Sequence, residues 1–536
     1  MPAGAESRGR RRIVRGHVGR LADFTGDEFD VAVIGGGIIG CGIARDAALR
    51  GLRVALFEKR DFGSGTTSAS TRIVHGGLRY LEMLDFRLVR LDLREREILL
   101  RIAPHLVRPL EFLIPFFDGD RTSAVKIRAG LALYDGLSFD KSLPSRRWLS
   151  AGEARAADEA LDRADIRGAA AYHDARVDSP ERLALENVLD AQAHHARVAN
   201  YCEVIGTGVE GGRLQRIRVR DTTDGSETDV RSRVVVNATG AWFERVAARL
   251  TAQQPGVVRT TKGIHLICPP VTNRALVLFS AVDRRLLFAI PRAGLTWIGT
   301  TDTDFNGDPA DATATRADVE YVLASVARVF PSLRMRDVLY TTAGVRALVR
   351  QRGSESSVSR MHKIVDGPPG GPPGMISVLG GKITGYRAIA EDTADAVCRR
   401  LGITSRPSVT ADVPLPGGRG SEASAPHLDE LYGSRAAEVL ALAHSEAELA
   451  RPLAPGCPVI GAQVVLGVRQ EHCLHLSDFL RRRTLLGASD DQGWGAAAGA
   501  AALMGRELGW SAARVAEELD TYRRDIAATQ AFREDA

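Results

Sequence analysis

Long apolar runs are missing from this chain of 536 residues. None approaches the ~20 consecutive apolar residues of a bilayer-crossing helix, so no membrane span is expected. Cysteine is sparse: Cys41, Cys202, Cys268, Cys398, Cys457 and Cys473 are scattered and never form CxxC. That excludes a disulfide framework and a thiolate metal site, and predicts reduced thiols in a cytoplasmic protein without metal. The basic run "RGRRRIVRG" is followed by "LADFTGDEFD", with no apolar core of an export signal. Internal repeats and calcium-binding loops are absent. Lysine is nearly absent too. Of 71 cationic residues only Lys59, Lys126, Lys141, Lys262, Lys363 and Lys382 are lysine, so a lysine inside a glycine-rich motif needs a reason.

The net charge of +5 is confined to the first twenty residues, where six arginines face Glu6 alone. The rest is balanced. A nucleic-acid binder carries its basic surface on the folded part, so nucleic acid is not an expected partner. Residues 1–28 read as a basic arm, either disordered or drawn to anionic lipid.

"FDVAVIGGGIIGCGIARDAALRGLRVALFEK", residues 29 to 59, is a strand, a glycine turn, a helix and a second strand. Gly35, Gly37 and Gly40 stand in GxGxxG spacing: one for the tight turn, one for close approach of a pyrophosphate, one for helix-on-sheet packing. The helix N-terminus favours phosphate charge. Glu58, eighteen residues beyond Gly40, is placed to bond ribose hydroxyls. Two further strand-to-glycine turns follow, "VVVNATGAW" (234–242) and "SVLGGKITGYR" (377–387). Their spread favours FAD in a discontinuous domain over a simple NAD domain. Lys382 in the last turn is a cation placed to stabilise reduced flavin.

The motifs "GTTSASTRIVHGGLRYLE", "NATGAW", "KGIHL", "FAIPRAGLTWIGTTDTDFNGDP", "AGVRAL" and "LGGKITGYR" complete a pattern. With it the chain resembles the FAD-dependent glycerol-3-phosphate dehydrogenases, members of the glycine oxidase and D-amino-acid oxidase superfamily. It departs from their pattern at Ala347, where proline is expected, and at Gly385, where threonine is usual. The resemblance implies an α/β fold: a discontinuous Rossmann-like FAD-binding domain over 29–410, an antiparallel-sheet substrate domain inserted at roughly 106–170 and 245–340, and a helical C-terminal domain over 426–536. It implies oxidation of sn-glycerol 3-phosphate to dihydroxyacetone phosphate, with hydride passing to FAD. The implied cofactor set is Gly35, Gly36, Gly37, Ile38, Gly40, Glu58, Lys59, Thr67, Ser68, Ser70, Thr71, Val204, Ala238, Thr239, Gly240, Gly381, Lys382, Ile383 and Thr384.

This chemistry needs a phosphate clamp, a base and a flavin-side cation. Arg79 and Arg346 are the clamp candidates, because a guanidinium grips phosphate with a fixed fork. Tyr80 is a further substrate contact. The base should be histidine: His75 is favoured over His265, which is otherwise left to bind the substrate hydroxyl. Lys262 is a second cation for flavin or substrate. The expected electron acceptor is the quinone pool, met by a peripheral protein on the inner face of the cell membrane. The alternatives are an oxidase that makes hydrogen peroxide, a relative acting on an amino acid, and a non-catalytic flavin-binding partner; a homodimer is left open. The run "FLIPFF" within 106–137 reads either as a bilayer-surface patch or as a core strand followed by a helix.

Overall fold

The computed structural model describes residues 21–120, 124–211, 213–251, 255–350, 361–367, 372, 374–404, 406–420 and 425–534. Among these residues the strands form two sheets, one of eight strands and one of ten. The first is the cofactor platform. Glu28–Ile34 pairs in parallel with Val54–Phe57 on one side and Glu227–Asn237 on the other. Met375–Leu379 extends the sheet beyond Glu227–Asn237, and Arg197–Ala199 extends it beyond Val54–Phe57, both in parallel. Segments far apart in the chain thus make one sheet, and the domain is discontinuous. Where these strands lie side by side at the centre, at 31–34, 54–57 and 234–236, they are apolar and buried because both faces are covered, as parallel sheets require. Helix Ile38–Leu49 packs over it between helices Pro180–Ala193 and Tyr386–Leu401.

The ten-stranded sheet is antiparallel apart from one pair, Ala275–Phe279 beside Val107–Phe117. Its centre holds Val258–Cys268, Leu295–Gly299 and Leu286–Arg292, with Tyr340–Val349 on the far side of Val258–Cys268. Here the apolar run "FLIPFF" resolves into a core strand. Val107–Phe117 is flanked by Ile166–Val177 and Ala275–Phe279. Leu113 and Phe117 are buried in one cluster, and Phe112 and Ile114 in another. A strand covered on both faces reads in sequence like an exposed apolar patch, so the bilayer reading of this run does not hold.

The C-terminal part is helical, with Pro426–Tyr432, Ala436–Ser445, Gly461–Gln470, Trp494–Leu508 and Ala512–Ala528. Buried ion pairs tie it to the cofactor domain. Arg182 makes two hydrogen bonds to Glu471, at 2.9 and 2.7 Å, and Arg483 makes two to Asp61, both 2.8 Å. Removing one partner of such a pair leaves a buried charge uncompensated. Residues 1–20 of the basic arm lie outside the described residues, while Leu21 and Phe24 are buried against the cofactor domain.

Candidate functional site

A cavity of about 570 Å³ runs from the first glycine turn to the junction of the two sheets. At one end Gly37 precedes helix Ile38–Leu49 with no side-chain cap. A Cβ on Gly37 would meet only the Thr67 hydroxyl, at 3.6 Å, so the protein leaves that approach open. A Cβ on Gly40 would lie 1.8 Å from the Gly35 carbonyl oxygen, so only glycine permits the helix to start so close to the turn. Gly36 and Gly40 shape the cavity without lining it. Thr67 accepts the Ile38 N–H at 3.0 Å. Glu58 accepts the Gly36 N–H at 2.7 Å and the Arg60 N–H at 2.9 Å, which aims its carboxylate along the cavity wall. An open helix N-terminus beside an oriented carboxylate suits a pyrophosphate and its ribose.

Val204, Ala238, Thr239 and Gly240 line the next stretch. Lys59 lies 4.6 Å over the Trp242 ring, a wall residue that the "NATGAW" motif contained but the motif reading did not assign. The loop 64–72 then crosses the cavity. Its hydroxyls are largely engaged within the protein. Ser68 donates to the Ser64 or Gly65 carbonyl, both 3.0 Å away, and Ser70 accepts the Arg72 N–H at 3.4 Å. Thr71 meets His265 Nε2 at 3.1 Å.

At the far end the other motifs converge. Gly380 and Gly381 both take positive φ, 69° and 96°, and turn strand Met375–Leu379 toward helix Tyr386–Leu401. Lys382, Ile383 and Thr384 line the cavity there. The Thr384 hydroxyl accepts the His75 N–H at 3.2 Å, which fastens this turn to the His75 segment. Gly76 N–H donates to Tyr134, whose hydroxyl donates at 2.8 Å to Asp174, itself paired with Arg96. The His75 ring sits edge-on to Phe288, with centroids 6.1 Å apart.

Lys382 forms an ion pair with Asp92, a residue that the motif reading did not identify. Its Nζ also lies 4.4 Å over the Tyr80 ring. Burial pushes the Asp92 carboxyl up to about 7 despite the adjacent lysine. A Cβ on Gly385 would come within 3.4 Å of Asp92 Oδ1, so the missing side chain at 385 leaves space that the carboxylate borders.

Arg346 and His265 reach the cavity from adjacent strands. Thr261 is opposite Arg346 and His265 opposite Thr342 in the pairing of Val258–Cys268 with Tyr340–Val349. A Cβ on Gly263 would stand 2.2 Å from Arg346 Nη2, and one on Gly299 would stand 2.7 Å from His265 Cδ2. Arg346 donates to the Thr301 carbonyl (3.0 Å), Asp302 Oδ1 (3.3 Å) and the Thr300 hydroxyl (2.8 Å). Asp302 also pairs with Arg285 at 3.3 Å, so one carboxylate holds two guanidiniums on the cavity wall. Arg285, in "VDRRLL", carried no motif signal. His265 is buried, and burial followed by the charges of Arg346 and Arg72 pushes its pKa down to about 3. It is a neutral imidazole.

Two expected substrate contacts stand apart. Lys262 does not line the cavity: its Nζ bonds Asp318 at 2.6 Å and the Thr313 carbonyl at 3.1 Å. Alternation along the strand turns Gly263 and His265 one way and Lys262 the other. The Arg79 side chain lies outside the described residues, although its backbone begins the helical turn Arg79–Glu82.

Residues 30–395 match the family model of the FAD dependent oxidoreductases, and residues 408–515 match the C-terminal domain of alpha-glycerophosphate oxidase. A glycerol-3-phosphate dehydrogenase of Synechocystis sp. is 38% identical over 527 residues, 92% of this chain and 95% of that protein. A mitochondrial glycerol-3-phosphate dehydrogenase of Mus musculus is 34% identical over 93% of this chain and 73% of its own length. Among solved structures, the glycerol-3-phosphate dehydrogenase from Bacillus halodurans complexed with FAD has a TM-score of 0.77 at 28% identity, covering 95% of this chain and 96% of that one.

Proposed function

The chain belongs to the FAD-dependent oxidoreductases, among the FAD-dependent glycerol-3-phosphate dehydrogenases, and on that premise we propose that it oxidises sn-glycerol 3-phosphate to dihydroxyacetone phosphate and delivers the electrons to membrane quinone. The observation that carries this reading is the convergence of His75, Arg346 and Lys382 on one cavity that begins at an open helix N-terminus.

FAD supplies the hydride acceptor and the electron carrier. The open turn at Gly37, the carboxylate of Glu58 and the glycine turn before Lys382 fit its phosphates, ribose and ring system. Arg346, with Arg285 held across Asp302, grips the substrate phosphate. His75 takes the proton of the C2 hydroxyl at a ring nitrogen. His265, held neutral, orients that hydroxyl by hydrogen bonding. Lys382, on the cavity wall, would supply a positive charge toward the ring system of FAD when that cofactor is bound. An amino-acid substrate would need one guanidinium for its carboxylate; two on a shared carboxylate suit a dianion better.

Asp92 is expected to give this site a pH dependence, whose sign follows from its raised pKa and its pairing with Lys382. Below about 7 its carboxyl is protonated and the Lys382 charge is uncompensated; above it the carboxylate cancels part of that charge. Reduction of the bound flavin by glycerol 3-phosphate should therefore slow as pH rises through neutrality. Asp92→Asn should remove this decline, raising the rate by roughly 3- to 10-fold at about pH 8.5, the equivalent of a pKa unit or less. Stopped-flow flavin bleaching against pH measures it, and an unchanged profile in the variant would remove Asp92 from the mechanism.

No helix among the described residues is long and apolar enough to cross a membrane. A peripheral contact is supported by helix Ala124–Leu137 and its end, where Val125 (72%), Leu133 (42%) and Phe139 (78%) are exposed. This helix packs on Phe86–Ile102, near whose start Leu84 and Phe86 are exposed as well. Lys126 and Arg128 stand among the exposed apolar residues. Such a surface inserts shallowly into the headgroup region. The protein is expected to float with anionic liposomes, to lose part of that binding without residues 1–20, and to keep the apolar part at high salt. Initial rates with a short-chain quinone should far exceed rates with oxygen alone. Failure to float, with oxygen as the better acceptor, would establish a hydrogen-peroxide-forming oxidase instead.

A further inference from the structure

A second cavity, of about 560 Å³, lies between the ten-stranded sheet and the C-terminal helices. Part of loop 64–72 walls both cavities. The second one collects donor atoms that have no hydrogen-bond partner among the described residues. Arg292, at the end of strand Leu286–Arg292, is 8% exposed. Its Nη2 donates to the Asp178 carbonyl at 2.7 Å, while Nε and Nη1 have no hydrogen-bond partner among the described residues. The same is true of Trp297 Nε1, the Tyr340 hydroxyl and Arg481 Nε. Trp297 and Tyr340 are buried.

These groups are neighbours. The Arg292 guanidinium lies 4.4 Å over the Trp297 ring and that of Arg72 lies 5.4 Å from it. The Tyr340 hydroxyl stands in the electrostatic field of Arg292, Arg72 and Arg481. The carboxylates around the cavity are mostly spent elsewhere. Glu181 takes two hydrogen bonds from Arg72, at 2.9 and 2.6 Å, and Glu518 takes His475 at 2.8 Å and Arg514 at 2.5 Å. Asp178 reaches Arg292 only at 3.9 Å, and Asp525 stands half-buried on the wall. Burial and the nearby Arg72 push Arg292 down to about 9, as expected of a cation short of counter-charge.

Buried donors are normally satisfied, and a cluster that is not marks a missing acceptor. All but one of these groups only donate, and the exception is a phenol that can do either. Guanidinium forks match the oxygens of a phosphate. We propose that this cavity is a second anion site, separate from the catalytic one, which binds the phosphate group of inorganic phosphate or a small phosphomonoester through Arg292, Tyr340, Trp297 and Arg481. The cavity communicates with catalysis by contact. The Trp297 ring lies 6.2 Å from the ring of His265, and Arg72 follows Thr71, the hydroxyl that bonds His265. Occupancy shifts the KM for glycerol 3-phosphate through this wall.

The test is calorimetric titration of the FAD-loaded enzyme with inorganic phosphate. The native protein is expected to bind at two sites per chain. Arg292→Gln should lose one of them while reducing its flavin with glycerol 3-phosphate at the native rate in phosphate-free buffer. Arg346→Ala should lose the other and keep the one that Arg292→Gln removes. Should Arg292→Gln fail to retain FAD, Tyr340→Phe carries the test, with phosphate at the second site weakened at least about 5-fold, as for a lost hydrogen bond. Phenyl phosphate, titrated in parallel, distinguishes the sources: tighter binding than inorganic phosphate indicates an organic ester, and weaker binding indicates the free ion. An isotherm unchanged by both Arg292→Gln and Tyr340→Phe, with FAD retained, overturns the site. So does a native isotherm with one site that only Arg346→Ala removes.

Discussion

Replacing Arg346 by alanine is expected to lower kcat/KM for glycerol 3-phosphate by about 30- to 1000-fold, the loss of a charge-assisted bidentate phosphate contact. FAD content should be unchanged. The reason is local. Arg346 is held by the Thr301 carbonyl, Thr300 and Asp302, all on the substrate side of the cavity and away from the first glycine turn. Arg346→Lys should recover only part of the loss, since an ammonium cannot span two phosphate oxygens from one planar fork. Gly263→Ala should imitate the defect without touching the arginine, because its Cβ would occupy the place of Arg346 Nη2, 2.2 Å away. Steady-state kinetics with the flavin absorbance as a control measures all three. Normal turnover by Arg346→Ala would make the residue structural and leave the clamp to Arg79 and Arg285.

The second large effect concerns His75. His75→Asn should slow flavin reduction by roughly 10²- to 10⁴-fold, the usual cost of a lost general base. Substrate should still bind, because the clamp stands on other strands. The rising limb of kcat/KM against pH should disappear at the same time. His265 is the competing base, and its environment argues against it. An imidazole held down to about 3 by burial and two cations is a poor proton acceptor near neutrality. His265→Asn is expected to raise KM more than it lowers kcat. If His265→Asn removes the rising limb and His75→Asn does not, the roles are reversed.

The first glycine motif was legible because its chemistry is local: strand, turn, helix and acid fall within one short segment. The later glycine turns were legible for the same reason, and Lys382 stood out because lysine is so rare. Residues whose role depends on distant partners were not legible. Asp92 lies inside helix Phe86–Ile102, where nothing nearby marks its carboxylate for a lysine in the last glycine turn. Arg285 and Asp302 matter only because two strands bring them to one wall. Lys262 lies off the cavity, bonded to Asp318, and the strand alternation in the sequence already points that way. In "TKGIHL" a period of two places lysine and isoleucine on one face and glycine and histidine on the other. The "FLIPFF" segment shows the converse limit, since composition does not say whether lipid or protein covers an apolar strand.

The interleaved sheet sets a timetable for biosynthesis. The strand Glu28–Ile34 leaves the ribosome early, but one neighbour is Glu227–Asn237, and Met375–Leu379 lies beyond that. Lys382 and the helix Tyr386–Leu401 come later still. Until they emerge, the growing chain displays the glycine turn for the cofactor phosphates without the wall that encloses the ring system. Non-local pairing of this kind is slow and leaves unpaired strand edges exposed while it waits. Flavin capture is therefore expected to be late, because a chain cut before residue 375 lacks the strand and the glycine turn that wall this end of the cavity. A chain ending within its first two thirds is expected to be aggregation-prone and free of flavin, which expression of truncated chains and their flavin absorbance would check.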